Sequence, residues 1–187
     1  MRIPVVVQYR HVHLSVQGYK TLFGEEEPTI LRPLSHHEQV VLQATVTIET
    51  AAGILHRVRV LGPVREETQV ELSATDAVAL NLRVPLRVSG DTQNAASCTL
   101  RGPKGSMRAK RCVIIPARHL HLNPEMAKKL KLSHGQIVSV RVQEDISRTI
   151  DHVTVRVHPT FVTEFHLTTD EAAELWLENG NFVEVCL

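Results

Sequence analysis

No stretch of the sequence approaches the roughly 20 consecutive apolar residues that a membrane-spanning helix needs. Residues 1–10 also lack the apolar core and the small-residue cleavage site of a secretory signal peptide. Lysine and arginine total 21 and aspartate and glutamate total 20, so the formal net charge is only +1. A balance this close to zero gives no electrostatic footprint for bulk nucleic acid or an anionic membrane. We therefore expect a cytoplasmic protein that binds neither.

Cysteine is scarce as well. The three cysteines, Cys98, Cys112 and Cys186, are odd in number and show no Cys-x-x-Cys spacing. This favours free thiols in a reducing compartment over a disulfide framework. We interpret them as small buried or half-buried apolar side chains. At 187 residues the chain is long enough to bury a hydrophobic core without disulfide bonds.

Much of the sequence consists of short runs rich in valine and isoleucine. Several alternate apolar with polar residues, as in residues 152–157, which is the pattern of a half-buried strand. Turns such as Gly62-Pro63 and Asn179-Gly180 separate the runs. Helical segments are few and short: residues 15–23, 123–129 and 169–176. The pattern predicts a mainly β protein of small antiparallel barrels or sandwiches.

The sequence also repeats itself. Residues 10–15, Arg-His-Val-His-Leu-Ser, match residues 118–123, Arg-His-Leu-His-Leu-Asn. Residues 68–73, Thr-Gln-Val-Glu-Leu-Ser, match residues 163–168, Thr-Glu-Phe-His-Leu-Thr, in the same order. Two ordered matches with histidines in register predict two related modules, residues 1–90 and 91–187. The boundary is approximate, and an exchange of strands between the modules is left open.

Each repeat carries a His-x-His segment. Side chains two residues apart on a strand point to the same face, so the two imidazoles of each segment can hold one transition-metal ion. Zinc is the default ion for histidine and carboxylate ligands. The second repeated segment supplies one further ligand to each set, which leaves an open coordination position as in catalytic zinc sites. The predicted ligands are His11, His13 and Glu71 in one set and His119, His121 and His166 in the other.

Less specific interpretations exist for single residues. One His-x-His in a β protein is more often a surface pair, and Glu71 is equally well a solvent-facing carboxylate; the register between the repeats favours ligands. The consecutive pair His36-His37 would point in opposite directions on a strand, so we interpret it as loop residues. His56, His134, His152 and His158 are interpreted as ordinary surface or loop histidines.

Basic residues near these segments leave two alternatives open. Arg65, in the turn before the Glu71 strand, could hold a carboxylate or phosphate bidentately, or be a solvated turn arginine beside Glu66 and Glu67. Lys104 lies in a Gly-Pro-Lys-Gly-Ser turn that could cradle a phosphate. That turn lacks full P-loop spacing, which favours a plain hairpin. The two arginines that precede the His-x-His segments, Arg10 and Arg118, are out of phase with the histidines and are expected to pair locally.

Together these segments resemble the phosphate propanoyltransferases, the PduL-type phosphotransacylases of bacterial microcompartment pathways. The resemblance covers almost the whole chain. It rests on both His-x-His segments and on residues 60–65, 68–71, 75–77, 89–91, 102–106 and 179–181.

The resemblance implies two closely joined small β-barrels with a few short helices and a dinuclear zinc site between the barrels. It implies transfer of a short-chain acyl group, propanoyl or acetyl, between coenzyme A and inorganic phosphate. Carried over by position, it assigns one zinc to His11, His13 and Glu71, the other to His119, His121 and His166, and phosphate to Arg65. Acyl-CoA and phosphate are then the partners. Homo-oligomer formation and a microcompartment location stay open, as do a dizinc hydrolase and a non-catalytic metal-binding relative.

Three stretches depart from the family pattern. Tyr9 stands where a small or amide residue is usual, residues 92–97 lack the usual glycines, and residues 108–111 are basic where an acidic stretch is usual. All six proposed ligands are intact. The departures therefore bear on acyl-chain preference and activity level rather than on metal binding.

Overall fold

The computed structural model describes residues 1–25, 27–35 and 38–186; the His36-His37 pair lies outside the described residues. Strands dominate, as the sequence predicts. The strands are β1 Ile3–Gln8, β2 His11–Ser15, β3 Ile30–Pro33, β4 Val40–Glu49, β5 Ile54–Arg65, β6 Gln69–Glu71, β7 Leu86–Arg87, β8 Ala96–Arg101, β9 Ser106–Pro116, β10 His119–Leu122, β11 Ile137–Val142, β12 Thr149–Val157, β13 Glu164–Thr168 and β14 Phe182–Cys186. The helices are α1 Val16–Phe23, α2 Ala74–Ala79, α3 Pro124–Leu130 and α4 Thr169–Leu175.

The chain divides into two compact units. Arg10–Pro116 form one, called here the Glu71 unit; Met1–Tyr9 and Ala117–Leu187 form the other, the His166 unit. In the Glu71 unit the pairing runs β4-β5-β2-β6-β9-β8 and returns to β4, which closes a six-stranded barrel. In the His166 unit β1-β13-β10-β12-β11-β14 close a second one. The predicted mainly β fold with two small barrels is confirmed.

The strand before each His-x-His segment and the segment itself belong to different units. Strand β1 precedes β2 in the chain but pairs in parallel with β13 of the His166 unit. Strand β9 precedes β10 but pairs in parallel with β6 of the Glu71 unit. The chain therefore changes unit at residues 9/10 and again at 116/117.

Alternation along the ligand strands builds the two cores. In the Glu71 unit, Val12 and Val70 are directly opposite each other on β2 and β6 and fully buried. In the His166 unit, Leu120 and Phe165 take the same positions on β10 and β13 and are fully buried. Since strand side chains alternate between faces, filling one face with these apolar residues puts the ligand candidates on the other.

Each ligand strand runs directly into a short helix. The N-cap side chains Ser15, Ser73, Asn123 and Thr168 accept a hydrogen bond from a backbone N–H in the first helical turn. Helix α2, which is six residues long, is not among the helices that the sequence predicts. None of the helices in the described part of the chain is long and apolar enough to traverse a lipid bilayer.

Two arginines pair with the helices that follow Glu71 and His166. The carboxylates of Asp76 and Glu171 complete capping boxes at the starts of α2 and α4. Arg10 forms an ion pair with Asp76, and Arg118 Nε lies 3.0 Å from Glu171 Oε1. Both arginines pair with a carboxylate, as expected, but the pairing is not local in sequence: Asp76 is 66 residues from Arg10.

The turn containing Lys104 is a hairpin between β8 and β9. Its Gly102 N–H donates to Gly105 O at 2.9 Å, and its Lys104 N–H donates to Leu22 O at 3.0 Å. A Cβ on Gly102 would lie 2.4 Å from Leu22 O, so only glycine fits this approach. The backbone N–H groups of Gly102 and Lys104 thus serve the fold rather than a phosphate.

The three cysteines are free. Cys98 and Cys112 are buried in the core of the Glu71 unit, and Cys186 is half-buried. This confirms their interpretation as apolar side chains.

Candidate metal centres

The first ligand set forms where β2 and β6 run antiparallel. His11 lies opposite Glu71 and His13 lies two residues further along the same face of β2. All three side chains are buried, with 7, 2 and 2% of their surfaces exposed. One ligand atom from each lies within 4.8 Å of the others. The predicted first set is thus brought together in a buried position.

The second set has the same geometry in the His166 unit. Strands β10 and β13 run antiparallel, with His119 opposite His166, and His121 lies two residues along β10. The three imidazoles are buried, and their centroids are 4.4 to 5.0 Å apart. His119 Nδ1 lies 2.8 Å from Ala117 O; donation there leaves Nε2 with the lone pair that a metal needs. Within the described ranges, these two sets are the clusters of three or more such residues that could hold a metal.

Charge and burial act together on the first set. His11 Nε2 is 3.4 Å from Glu71 Oε2. Burial lowers the pKa of His13 well below its usual value, and the charges of His11 and Arg65 act in the same direction. A histidine held neutral in this way keeps a lone pair available for a metal.

The donor sets fit a divalent transition metal. Imidazole nitrogens with or without a carboxylate are zinc ligands, and three of them leave a fourth position open. Buried polar atoms normally have hydrogen-bond partners. Among the described residues, His13 Nδ1 is buried and has none. A metal bound to this nitrogen would satisfy it.

Arg65 lies at the end of β5, where its register partner is Ser15 on β2. The side chain is half-buried, and its charge contributes to the lowered pKa of His13. Arg65 is therefore close enough to the first set to act electrostatically on one of its members.

Two further residues next to the ligands escaped the sequence prediction. Gln69 and Glu164, both buried, occupy equivalent positions two residues before Glu71 and His166. Gln69 Nε2 donates to Glu71 Oε1 at 2.6 Å, and Glu164 Oε2 lies 3.2 Å from His166 Nε2. The alignment of the two repeats matches Gln69 with Glu164, and this match is the sequence signal that could have identified them.

The family departures lie elsewhere. Tyr9 lines a groove of about 420 Å³ with Ala173 and Leu177. Arg108 and Lys110 line a cavity of about 600 Å³ that also contains Glu66 and Glu67. None of the six proposed ligands is among the described residues that line either cavity.

Comparison with known proteins identifies the family. A sequence profile described as phosphate propanoyltransferase matches residues 4–178. The chain belongs to the phosphate propanoyltransferase family. A phosphate propanoyltransferase of Thermotoga maritima is 43% identical over 98% of this chain and 88% of its own length. Those of Priestia megaterium and Escherichia fergusonii are 42% and 39% identical over 96 and 95% of this chain and 83 and 85% of their own lengths. The chain is thus an acyltransferase enzyme, and the family supports phosphate acyltransferase activity.

Proposed function

We propose that this protein interconverts propanoyl-CoA or acetyl-CoA plus phosphate with the acyl phosphate plus coenzyme A at a dinuclear zinc site. His11, His13 and Glu71 would hold one ion; His119, His121 and His166 would hold the other. The observation that carries the proposal is the occurrence of two buried three-ligand sets at equivalent register positions. Family membership supplies the acyl-transfer chemistry.

Bound zinc supplies Lewis acidity: it stabilises negative charge on an oxyanion and lowers the pKa of a bound thiol. The chain's own contribution is to hold the ligand atoms in place. Each set is buried and fixed on paired strands, so little rearrangement is needed when charge develops.

Arg65 is the proposed phosphate-binding residue. Its guanidinium is permanently charged and offers a planar fork of donors that matches two phosphate oxygens. Its register position on β5 opposite Ser15, two residues beyond His13 on β2, supports a place beside the first set. Holding phosphate near the thioester carbonyl gives the proximity that accelerates a two-substrate reaction.

The proposed chemistry is direct transfer. A phosphate oxygen attacks the thioester carbonyl carbon, the carbon–sulfur bond breaks, and coenzyme A leaves as the thiolate. An acyl-enzyme would need an activated nucleophile, and we read no Ser-His-Asp or Cys-His arrangement in the sequence. Cys98 and Cys112 are in addition buried in a hydrophobic core. Release of coenzyme A without phosphate, in a burst equal to the enzyme concentration, would contradict direct transfer.

One experiment tests the function as a whole. Metal content and acyl-CoA turnover are measured on the same preparation, with and without phosphate. Two zinc ions per chain and strictly phosphate-dependent formation of acyl phosphate are expected. Phosphate-independent thioester cleavage would identify a dizinc hydrolase, two zincs without turnover would identify a metal-binding relative, and absence of metal uptake would overturn the proposal.

We also propose that the protein is located in the cytoplasm or in the lumen of a bacterial microcompartment. It could act as a monomer or as a homo-oligomer. Co-sedimentation of the protein with purified microcompartment shells distinguishes the two locations. Sedimentation of the purified chain measures its oligomeric state.

A further inference from the structure

The two units differ at two equivalent positions. The third ligand of each set, Glu71 or His166, faces the same way as the residue two positions earlier, Gln69 or Glu164. One strand reads Gln-x-Glu, the other reads Glu-x-His. Each strand face thus carries one carboxylate, but in opposite order.

In the Glu71 unit the earlier residue is a hydrogen-bond donor. Gln69 Nε2 donates to Glu71 Oε1 at 2.6 Å, which satisfies one carboxylate oxygen and leaves Oε2 on the side of His11. Gln69 is itself fixed. Its Nε2 also donates to Ser89 Oγ at 2.9 Å, and its Oε1 accepts from the Gly90 N–H at 2.9 Å.

In the His166 unit the earlier residue is an acceptor. Glu164 Oε2 lies 3.2 Å from His166 Nε2, and both side chains are buried. An imidazole that donates its Nε2–H to a carboxylate carries its lone pair on Nδ1. Carboxylate partners of this kind fix the tautomer and orientation of metal-binding histidines and make them more basic.

We propose that Gln69 and Glu164 are positioning residues matched to the chemistry of the ligands they support. A carboxylate ligand is held by an amide donor, and an imidazole ligand is held by a carboxylate acceptor. Glu164 thereby selects Nδ1 of His166 as the metal-binding nitrogen. The inference rests on the proposed function, in that the two sets bind zinc.

The matching makes each pair a unit. Changing His166 to glutamate alone would place two carboxylates where a donor and an acceptor now meet, and their repulsion would disfavour metal-binding geometry. Changing both residues gives the His166 unit the same Gln-x-Glu pair that the Glu71 unit has. A structural role for Glu164 alone would not predict recovery in the double variant.

The test compares Glu164→Gln, His166→Glu and the double variant Glu164→Gln/His166→Glu. Zinc per chain is measured by elemental analysis, and zinc affinity by competition with a chromogenic chelator. We expect Glu164→Gln to weaken one of the two zincs about 10- to 100-fold. His166→Glu should lose that zinc, and the double variant should regain it. Glu174→Gln, an exposed change in the same unit, is the control and should match the parent protein.

A variant in the Glu71 unit provides an independent test in case the double variant does not fold. Gln69→Met keeps the side-chain length and removes the donor; it should weaken the other zinc by a similar factor. Circular dichroism checks that each variant is folded. Unchanged zinc affinity in both Glu164→Gln and Gln69→Met, or a folded double variant no better than His166→Glu, overturns the inference while two zincs on the parent protein uphold the function. A parent protein without zinc overturns both.

Discussion

The Glu71 unit and the His166 unit use the same backbone register to place three candidate metal ligands, but the residue type differs at one of the three positions. In both, a His-x-His strand lies antiparallel to a strand that carries the third ligand directly opposite the first histidine. That third candidate ligand is a carboxylate in one unit and an imidazole in the other. The register thus fixes where ligands lie, and side-chain identity at a single position sets the charge of the set.

This difference has an electrostatic consequence. A divalent ion on two histidines and a glutamate keeps a smaller net positive charge than the same ion on three histidines. Glu164 partly offsets this, since its carboxylate lies next to His166 without being a member of the ligand set. The two ions would then differ in how strongly they attract a thiolate or a phosphate.

The largest effect is expected from removing a ligand in either unit. His11→Ala and His119→Ala should each lose one zinc and reduce acyl transfer to background, because two ligands hold a divalent ion much less well than three. Elemental analysis and the phosphate-dependent assay measure both outcomes. The exposed histidines His56 and His152 are matched controls, and their alanine variants should keep two zincs and full activity. Full zinc content in His11→Ala or His119→Ala would refute the ligand assignment.

Arg65→Ala should separate phosphate binding from metal binding. We expect both zincs to remain and transfer to fall about 30- to 1000-fold, equivalent to roughly 2–4 kcal/mol for a lost charged partner in a partly desolvated site. The deficit appears in KM for phosphate if Arg65 binds ground and transition states alike, and in kcat if it acts chiefly on the transition state.

Three variants sharpen this result. Arg65→Lys should recover only part of the rate, since an ammonium lacks the bidentate fork. Glu71→Gln should disturb zinc occupancy first and phosphate binding only secondarily. Arg83→Ala, an exposed change in the same unit, should change neither zinc occupancy nor phosphate binding. Near-normal phosphate kinetics in Arg65→Ala would favour the interpretation as a turn arginine beside Glu66 and Glu67.

The next largest effects are expected from matched substitutions in the two hydrophobic cores. Phe165 and Val70 occupy equivalent, fully buried positions behind the third ligands. Phe165→Ala should lower the free energy of unfolding by about 3–5 kcal/mol. Val70→Ala removes two methyl groups and should cost about 2 kcal/mol. Urea unfolding followed by circular dichroism measures both, and equal costs would contradict the packing assigned to these positions.

The smallest effects are expected at the helix caps. Ser73→Ala and Thr168→Ala each remove a capping-box hydroxyl and should cost about 1 kcal/mol of unfolding free energy. Arg118→Ala removes a half-exposed ion pair and should cost about 0–1 kcal/mol. Thermal unfolding detects the ranking, which fails if Arg118→Ala costs more than Thr168→Ala.

The clustering of the six candidate ligands could be predicted from sequence because its signal is local and repeated. His11 and His13 follow a period of two, and the second repeated segment aligns Glu71 with His166. Arg65 was predicted as a phosphate-site candidate, and the structure adds its electrostatic effect on His13.

The remaining features are not local. Whether β1 pairs with β2 or with β13 depends on residues more than 150 positions away, and no sequence period records that choice. Strand β8 begins Ala-Ser-Cys-Thr, a polar start that resembles a loop until β4 and β9 flank it. The support of His166 by Glu164 depends on side-chain conformation, which the aligned strands do not determine.

The exchanged strand β1 ties assembly of the protein to the direction of its synthesis. The ribosome delivers β1 first, but the strands that flank it, β13 and β14, lie in residues 164–186. All strands of the Glu71 unit are available once residue 116 has emerged. In the His166 unit, the apolar residues Ile3 and Val5 of β1 cannot be buried against their partner strands until translation is almost complete. A chain that stops between residues 117 and 165 would therefore contain every residue of the Glu71 set and lack His166 of the other set, so it could complete only one of the two proposed metal sites.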